Sequence, residues 1–302
     1  MNAVRSLPSK LLALIASGQP CIWLLVAATQ GSTPRETGAS MAVTEHESFG
    51  TIGGGHLELK AIEHARAMLA AGLIAATQRH YPLGPALGQC CGGSVSVLFA
   101  PIQSSHRDEL RALAALERHG GRYALTRTLD TGGSITVPLQ FDPWTVWIFG
   151  AGHVGKALTD VLASLPCQVK WVDQRDAQFP ATVADNVEII QSMSPADEVR
   201  LIAPGAQVLV LTYSHALDLE ICWALLARDD LGYCGLIGSG TKAAVFRKRF
   251  AQRGVSPDAI ARIICPIGAP RLRSKHPGVI AVSVAMELIE KQQQLQATSA
   301  IE

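Results

Sequence analysis

Residues 8–18 place Leu11, Leu12, Leu14 and Ile15 near helical spacing and end at Gly18, which predicts a short amphipathic helix. The unbroken apolar run 21–28 predicts a buried strand feeding the loop 29–39, where Gly, Ser and Pro exclude helix. That loop is longer than a simple turn requires, which points to a ligand. Short paired strands are expected at 41–43 and 49–52. Gly53, Gly54 and Gly55 then open a helix with Leu57, Ala61, Ile62, Ala65, Met68 and Leu69 on one face, ending at Gly72. The irregular stretch 82–93 places Cys90 and Cys91 in a loop before the alternating strand 94–99. A helix at 107–119 and a hairpin near 131–134 lead to Asp142 and Pro143, the expected boundary.

Beyond that boundary the pattern changes to strand and helix in alternation. Strands are expected at 145–149, 168–172, 207–211 and 233–237, with helices at 154–165, 217–227 and 241–253. Units of this kind pair in parallel and need both faces of the sheet covered. The predicted fold class is α/β, an amino-terminal α+β domain followed by a Rossmann-like domain with a mainly parallel sheet. The expected division is an amino-terminal domain at 1–105, a connecting segment at 106–143, the Rossmann-like domain at 144–292 and a frayed tail at 293–302.

Composition narrows the function. Of 302 residues, 48% are hydrophobic and 17% charged, which describes a globular protein rather than a disordered one. A net charge of +1 supplies no global field for nucleic acid or an acidic membrane. The longest apolar runs fall short of the roughly 20 residues of a membrane span. Seven cysteines, an odd and scattered set, do not make a disulfide framework, so a reducing cytoplasm is expected. Cys21, Cys222 and Cys234 lie in apolar patterns and read as core.

The sharpest motif is Gly150, Ala151, Gly152, His153, Val154 and Gly155, directly after a hydrophobic strand and at the opening of a helix. Missing side chains there let backbone amides approach a phosphate at the positive helix end. Asp173, about 20 residues on and at the end of the next strand, is placed to hold a ribose hydroxyl. Cys91, next to Gly92 and Gly93, is either an available thiol or, with Cys90, an inert cysteine at a strand entrance. The turn Gly53, Gly54 and Gly55 is either an anion site or a tight strand-to-helix connection, and Arg35 nearby is either a bidentate anion contact or a solvated side chain. Gly238, Ser239 and Lys242 follow another parallel strand and open on the same sheet edge as Gly150. His215 and Asp218 follow the strand at 207–211 as ligands, a proton relay or helix caps. No zinc-site spacing, G-x-S-x-G elbow or Walker loop is present.

Taken together, Gln30 to Arg35 with Gly38 and Ala39, Gly50 to Gly55, Gly88 to Gly93, Gly150 to Gly155, Val172 to Arg175 and Gly235 to Ser239 make the chain resemble the XdhC family of xanthine dehydrogenase accessory proteins. The likeness runs from about residue 10 to residue 290, with Tyr213 standing where a histidine is expected and a basic stretch at 271–279 replacing an acidic one. The resemblance implies a molybdenum cofactor chaperone. Such a protein holds the molybdopterin form of the cofactor while a cysteine desulfurase installs the terminal sulfido ligand, then delivers it to xanthine dehydrogenase apoenzyme. It implies a handler rather than the hydroxylase, and a homodimer is expected. Arg35, the Gly53 turn and Cys91 would serve from the amino-terminal domain, Cys91 as a soft donor to the metal. The rival reading is an NAD(P)-dependent oxidoreductase using the Gly150 loop and Asp173.

Overall fold

The computed structural model describes residues 6–83, 92–269, 272 and 274–299. The chain divides into two compact units, Arg5–Asp142 and Pro143–Glu302.

The first unit begins with α1 (Leu7–Ala16), β1 (Cys21–Gln30), β2 (Ser40–Val43), β3 (Ser48–Gly50) and α2 (Gly55–Ala70). It continues with β4 (Thr77–Pro82), β5 (Ser94–Ile102), α3 (Arg107–His119), β6 (Gly121–Thr128) and β7 (Ser134–Phe141). An antiparallel sheet of order β3-β2-β1-β5-β4 forms its centre, and β6 and β7 make a separate hairpin. β1 is apolar throughout its first six residues because both of its faces are covered. Ile22, Leu24 and Val26 pack with Leu57, Ala61, Ala65 and Met68 of α2. Cys21, Trp23 and Leu25 point the other way, into a cluster with Leu11 and Leu14 of α1, Leu110 and Leu113 of α3, and Leu125, Val137 and Leu139 of the hairpin. Side chains on a strand alternate between faces, so a run buried on both sides carries no polar positions.

The second unit holds β8 (Trp144–Phe149), α4 (His153–Leu162), β9 (Cys167–Asp173), β10 (Val187–Gln191), α5 (Pro195–Glu198) and β11 (Gln207–Val210). It ends with α6 (His215–Leu226), β12 (Tyr233–Leu236), α7 (Gly240–Gln252), α8 (Pro257–Ala261), β13 (Ile263–Ile264) and α9 (Pro277–Ser299). Its sheet is parallel with order β10-β9-β8-β11-β12-β13, so the strand order reverses between β8 and β11. This is the doubly wound Rossmann arrangement. Phe149, Val208 and Val210 face α6 and α7 through Ile221, Cys222, Leu225, Phe246 and Phe250. Ile148, Val169, Trp171 and Leu209 face Leu158 and Leu162 of α4 and Ala281, Val284, Ala285 and Leu288 of α9.

Two expectations change. The segment 106–143 is no connection: α3 and the hairpin seal one face of the first sheet, so 106–142 belongs to the first unit. The tail expected to fray after Lys291 continues α9 to Ser299. Cys21, Cys222 and Cys234 are buried, and burial pushes the thiols of Cys21 and Cys234 up to about 12. Among the described residues no helix is long and apolar enough to cross a membrane.

Arg127 of β6 fastens the hairpin to α3. Its guanidinium grips both carboxylate oxygens of Glu109, Nη1 meeting Oε1 at 3.0 Å, and the Tyr123 hydroxyl donates to the same carboxylate at 3.1 Å. Burial alone would raise the Glu109 pKa, but the hydrogen bonds and charge of Arg127, with help from Tyr123, hold it below its ordinary value. Arg127→Ala is expected to lower stability by about 2 kcal/mol, less than a fully dry pair because both groups still reach water. Urea denaturation of the full chain measures this. A depressed carboxyl pKa stabilises the fold above the unfolded value near 4.3 and ceases to do so as pH falls through the folded value. The wild type is therefore expected to lose the difference from Arg127→Ala on acidification below about pH 4.

Candidate functional site

The carboxyl ends of the parallel strands carry most of the candidate residues. β8 ends at Phe149 and the chain enters α4 through Gly150, Ala151 and Gly152. Gly150 adopts φ +125°, and a Cβ there would stand 2.2 Å from the Leu211 carbonyl oxygen. A Cβ on Gly155 would stand 2.2 Å from the Gly150 carbonyl oxygen, so its absence seats α4 against the turn. The Trp171 indole donates to that same Gly150 oxygen at 3.0 Å. Gly152 differs from both. Its φ of −75° suits any residue, and a Cβ there would meet nothing within 4 Å. It caps α4 with no side-chain hydrogen bond, which leaves open space before helix amides that lack an intrahelical acceptor.

Asp173, expected to meet a ribose, is turned inward. It is 4% exposed; Oδ2 accepts from the Ala151 amide at 2.7 Å and from Arg175 Nη2 at 3.0 Å. Oδ1 accepts from the Arg175 amide and from its Nε, each at 2.9 Å. Burial pulls the Asp173 pKa upward, and these donors, Arg175 foremost, more than reverse it, so the carboxyl lies below its usual range. Asp173 thus ties the end of β9 to the glycine loop rather than standing free for a ligand.

A second acid does the same work on the other side of the switch point. Asp218 of α6 is fully buried, and its Oδ1 accepts from the Thr212 amide at 3.0 Å and the Thr212 hydroxyl at 2.7 Å. Its Oδ2 takes the ammonium of Lys242, which also donates to the Ile237 carbonyl at 2.8 Å. Lys242, expected to reach a ligand, is therefore an internal tie between α7, α6 and the end of β12. A Cβ on Gly238 would lie 2.7 Å from Lys242 Cδ, so Gly238 makes room for that lysine. Ser239 is the cap of α7, accepting from the Lys242 amide at 3.3 Å. Asp218 is not the cap of α6: Ser214 caps it through the Leu217 amide and His215 begins that helix.

In the first unit three of the sequence motifs meet. A Cβ on Gly31 would lie 3.1 Å from Gly93 Cα, and one on Gly93 would lie 2.4 Å from the Ser32 carbonyl oxygen, so the two loops touch backbone to backbone. Pro34 sits against Gly53, whose Cβ would lie 2.6 Å from the Pro34 Cγ. The anion expected at the Gly53, Gly54 and Gly55 turn is supplied by the protein. Glu58 Oε2 accepts from the Thr51 hydroxyl at 2.6 Å and from the Ile52 and Gly54 amides, each at 3.1 Å. Arg35 lies beside this turn with its guanidinium at the surface, 3.3 Å from Glu36. Cys90 and Cys91 lie outside the described residues. Among the described residues no group of three or more His, Cys, Asp or Glu side chains is placed to hold a metal ion.

Sequence reasoning assigned no role to Glu58, Arg175 or Tyr213. The signal for Glu58 was an acid in the first turn after a glycine-rich entry. That for Arg175 was a base two residues beyond the acid of β9.

Two family models match the chain, one described as the XdhC and CoxI family over residues 14–81 and one described as the XdhC Rossmann domain over residues 146–288. The protein YqeB of Escherichia coli strain K12 is 25% identical over 278 residues, which is 87% of this chain and 42% of YqeB. The chain therefore spans less than half of that relative's length. A crystal structure described as a xanthine dehydrogenase from Bacillus halodurans aligns over 96% of both chains with a TM-score of 0.73 and 23% identity, a likeness of fold.

The Asp218 and Lys242 pair predicts a sharp asymmetry. Asp218→Ala strands a buried ammonium and is expected to cost about 3 kcal/mol or more in urea denaturation, whereas Asp218→Leu combined with Lys242→Met costs clearly less.

Proposed function

The chain belongs to the XdhC family, and from that premise we propose that it is an accessory protein of a xanthine dehydrogenase, a handler of the molybdenum cofactor rather than the hydroxylase. In this reading it binds the molybdopterin form of the cofactor as cargo, keeps it while a cysteine desulfurase adds the terminal sulfido ligand, and passes it to the apoenzyme in the reducing cytoplasm.

The observation that carries the reading is the uneven duty of the three glycines. Gly150 and Gly155 are accounted for by close backbone approaches, whereas Gly152 faces open space at an uncapped helix start. A phosphate arm fits there, since it needs backbone amides and the absence of a Cβ, and needs no counter-charge from a lysine. Lys242 and Asp173 are engaged within the fold, so the groups of the second unit left to meet the cargo are the amides at the start of α4. The molybdenum arrives already held by its own dithiolene, and a thiol such as Cys91 would offer it a further soft donor. The nicotinamide reading fares worse, because the carboxylate that would take the ribose hydroxyls already accepts four hydrogen bonds.

Purification of the full chain from molybdenum-replete cells, followed by metal analysis and pterin fluorescence, tests the proposal. The wild type is expected to carry both molybdenum and pterin. Gly152→Ala is expected to fold normally, since its backbone angles and surroundings accept a methyl group, and to retain about tenfold less cofactor. Cys91→Ala should likewise keep the fold and lower retention or sulfuration. A wild type devoid of molybdenum and pterin rejects the reading, and undiminished retention by Gly152→Ala rejects the site.

A further inference from the structure

The residues after β9 and β11 reach each other across the end of β8. β8 pairs with β9 on one side and with β11 on the other. Adjacent strands lie about 4.8 Å apart, so the outer two are separated by about 10 Å at the sheet edge. Arg175, two residues beyond the close of β9, nonetheless places its guanidinium carbon 4.0 Å from the centroid of the Tyr213 ring, which follows β11. The Tyr213 hydroxyl donates to Gln174 Oε1 at 3.1 Å, and Gln174 Nε2 donates in turn to the Met193 carbonyl beyond β10 at 2.8 Å. A continuous bridge of side chains thus passes over the strand end from which the Gly150 loop springs.

This bridge lies on the track of a familiar ligand. In a doubly wound sheet a dinucleotide runs across the crevice where strand order reverses, its adenosine ribose on the acid of the second strand and its pyrophosphate on the glycine loop. Here the second strand is β9 and its acid is Asp173. Arg175 joins the two obstructions, gripping Asp173 through Nε and Nη2 while stacking on Tyr213. The ring is not a core residue: Tyr213 is 61% exposed. An exposed aromatic held by a stacked guanidinium and a hydrogen bond at its tip is fixed in place by those contacts rather than by packing.

We propose that Asp173, Arg175 and Tyr213 are specificity-determining residues that close the switch point to ligands running through it, dinucleotides above all. The crevice then admits only a compound whose phosphate arm ends at the Gly150 loop. This inference sharpens the ligand class of the site proposed above, and it can fail independently of the cofactor reading because it is read with a different ligand.

Titration of the full chain with NADH and NADPH, followed by nicotinamide fluorescence, tests it. The wild type is expected to show no saturable binding of either below about 1 mM. Tyr213→Ala removes an exposed ring with no packing role and is expected to tighten binding; Tyr213→Ala with Arg175→Ala, which also releases Asp173, should tighten it by about tenfold or more. Circular dichroism confirms that each variant is folded, and the single variant decides should the double variant not fold. Micromolar binding by the wild type overturns the proposal, as does a folded variant with no gain in affinity. Molybdenum and pterin content of the same wild-type preparation reports separately on the cofactor reading.

Discussion

Backbone amides left at the ends of buried strands must find acceptors, and in the second unit two carboxylates provide them. Asp173 accepts from the Ala151 amide and Asp218 from the Thr212 amide, one on each side of the strand reversal. Each acid is then balanced by a base from another part of the same edge, Arg175 in one case and Lys242 in the other. Loops that would otherwise be held only by their own turns become a connected rim. A buried carboxylate without such partners would be costly, so the acid, the amides and the base form an interdependent set. The shape of the glycine loop depends on this set, because Gly150 is pressed between Leu211 and the indole of Trp171 while Ala151 is drawn toward β9.

The same device appears in the first unit with different residues. Glu58 turns back from the first turn of α2 and takes the Ile52 and Gly54 amides together with the Thr51 hydroxyl. A carboxylate at a helix start is favoured by the helix dipole, and here it also occupies the concavity that three successive glycines create. The neighbouring contacts follow: Gly53 lies against Pro34, and the loop carrying Pro34 lies against Gly93. Sequence motifs separated by tens of residues therefore gather in one place through backbone contact.

The sequence made the architecture legible at several places where burial imposed a period or an unbroken apolar run, although α9, which buries Ala281, Val284, Ala285 and Leu288, was not foreseen. β1, β8 and the helix of Leu57, Ala61, Ala65 and Met68 are of this kind. It was silent where an element has little buried surface. β4 is an edge strand whose residues are mostly exposed, and β10 is an edge strand with Val187 alone buried, so neither carries a strong pattern. The segment 106–143 misled for another reason. Its helix was visible, but only tertiary packing shows that α3 and the hairpin complete the first core. In the candidate site the positions of glycines and acids were legible and their duties were not. Whether a carboxylate points to a ligand or to its own chain depends on where Arg175, Lys242 and Thr212 fall in space, and linear spacing does not encode that.

A glycine-rich strand-to-helix turn is consequently a weak sign of ligand binding until its amides and its Cβ positions are examined. Three such turns occur here, and they separate cleanly. At the start of α2 the Gly54 amide belongs to Glu58. At the start of α7 Ser239 caps the helix and Gly238 accommodates Lys242. At the start of α4 the flanking glycines are fixed by carbonyl oxygens, yet Gly152 has neither a neighbour to avoid nor a side chain to cap the helix. Folding alone gives no reason for a glycine at that position, because alanine would fit its backbone angles at lower entropic cost. The free approach to the amides of α4 distinguishes this turn from the other two, and the phosphate proposed to bind there would supply the reason.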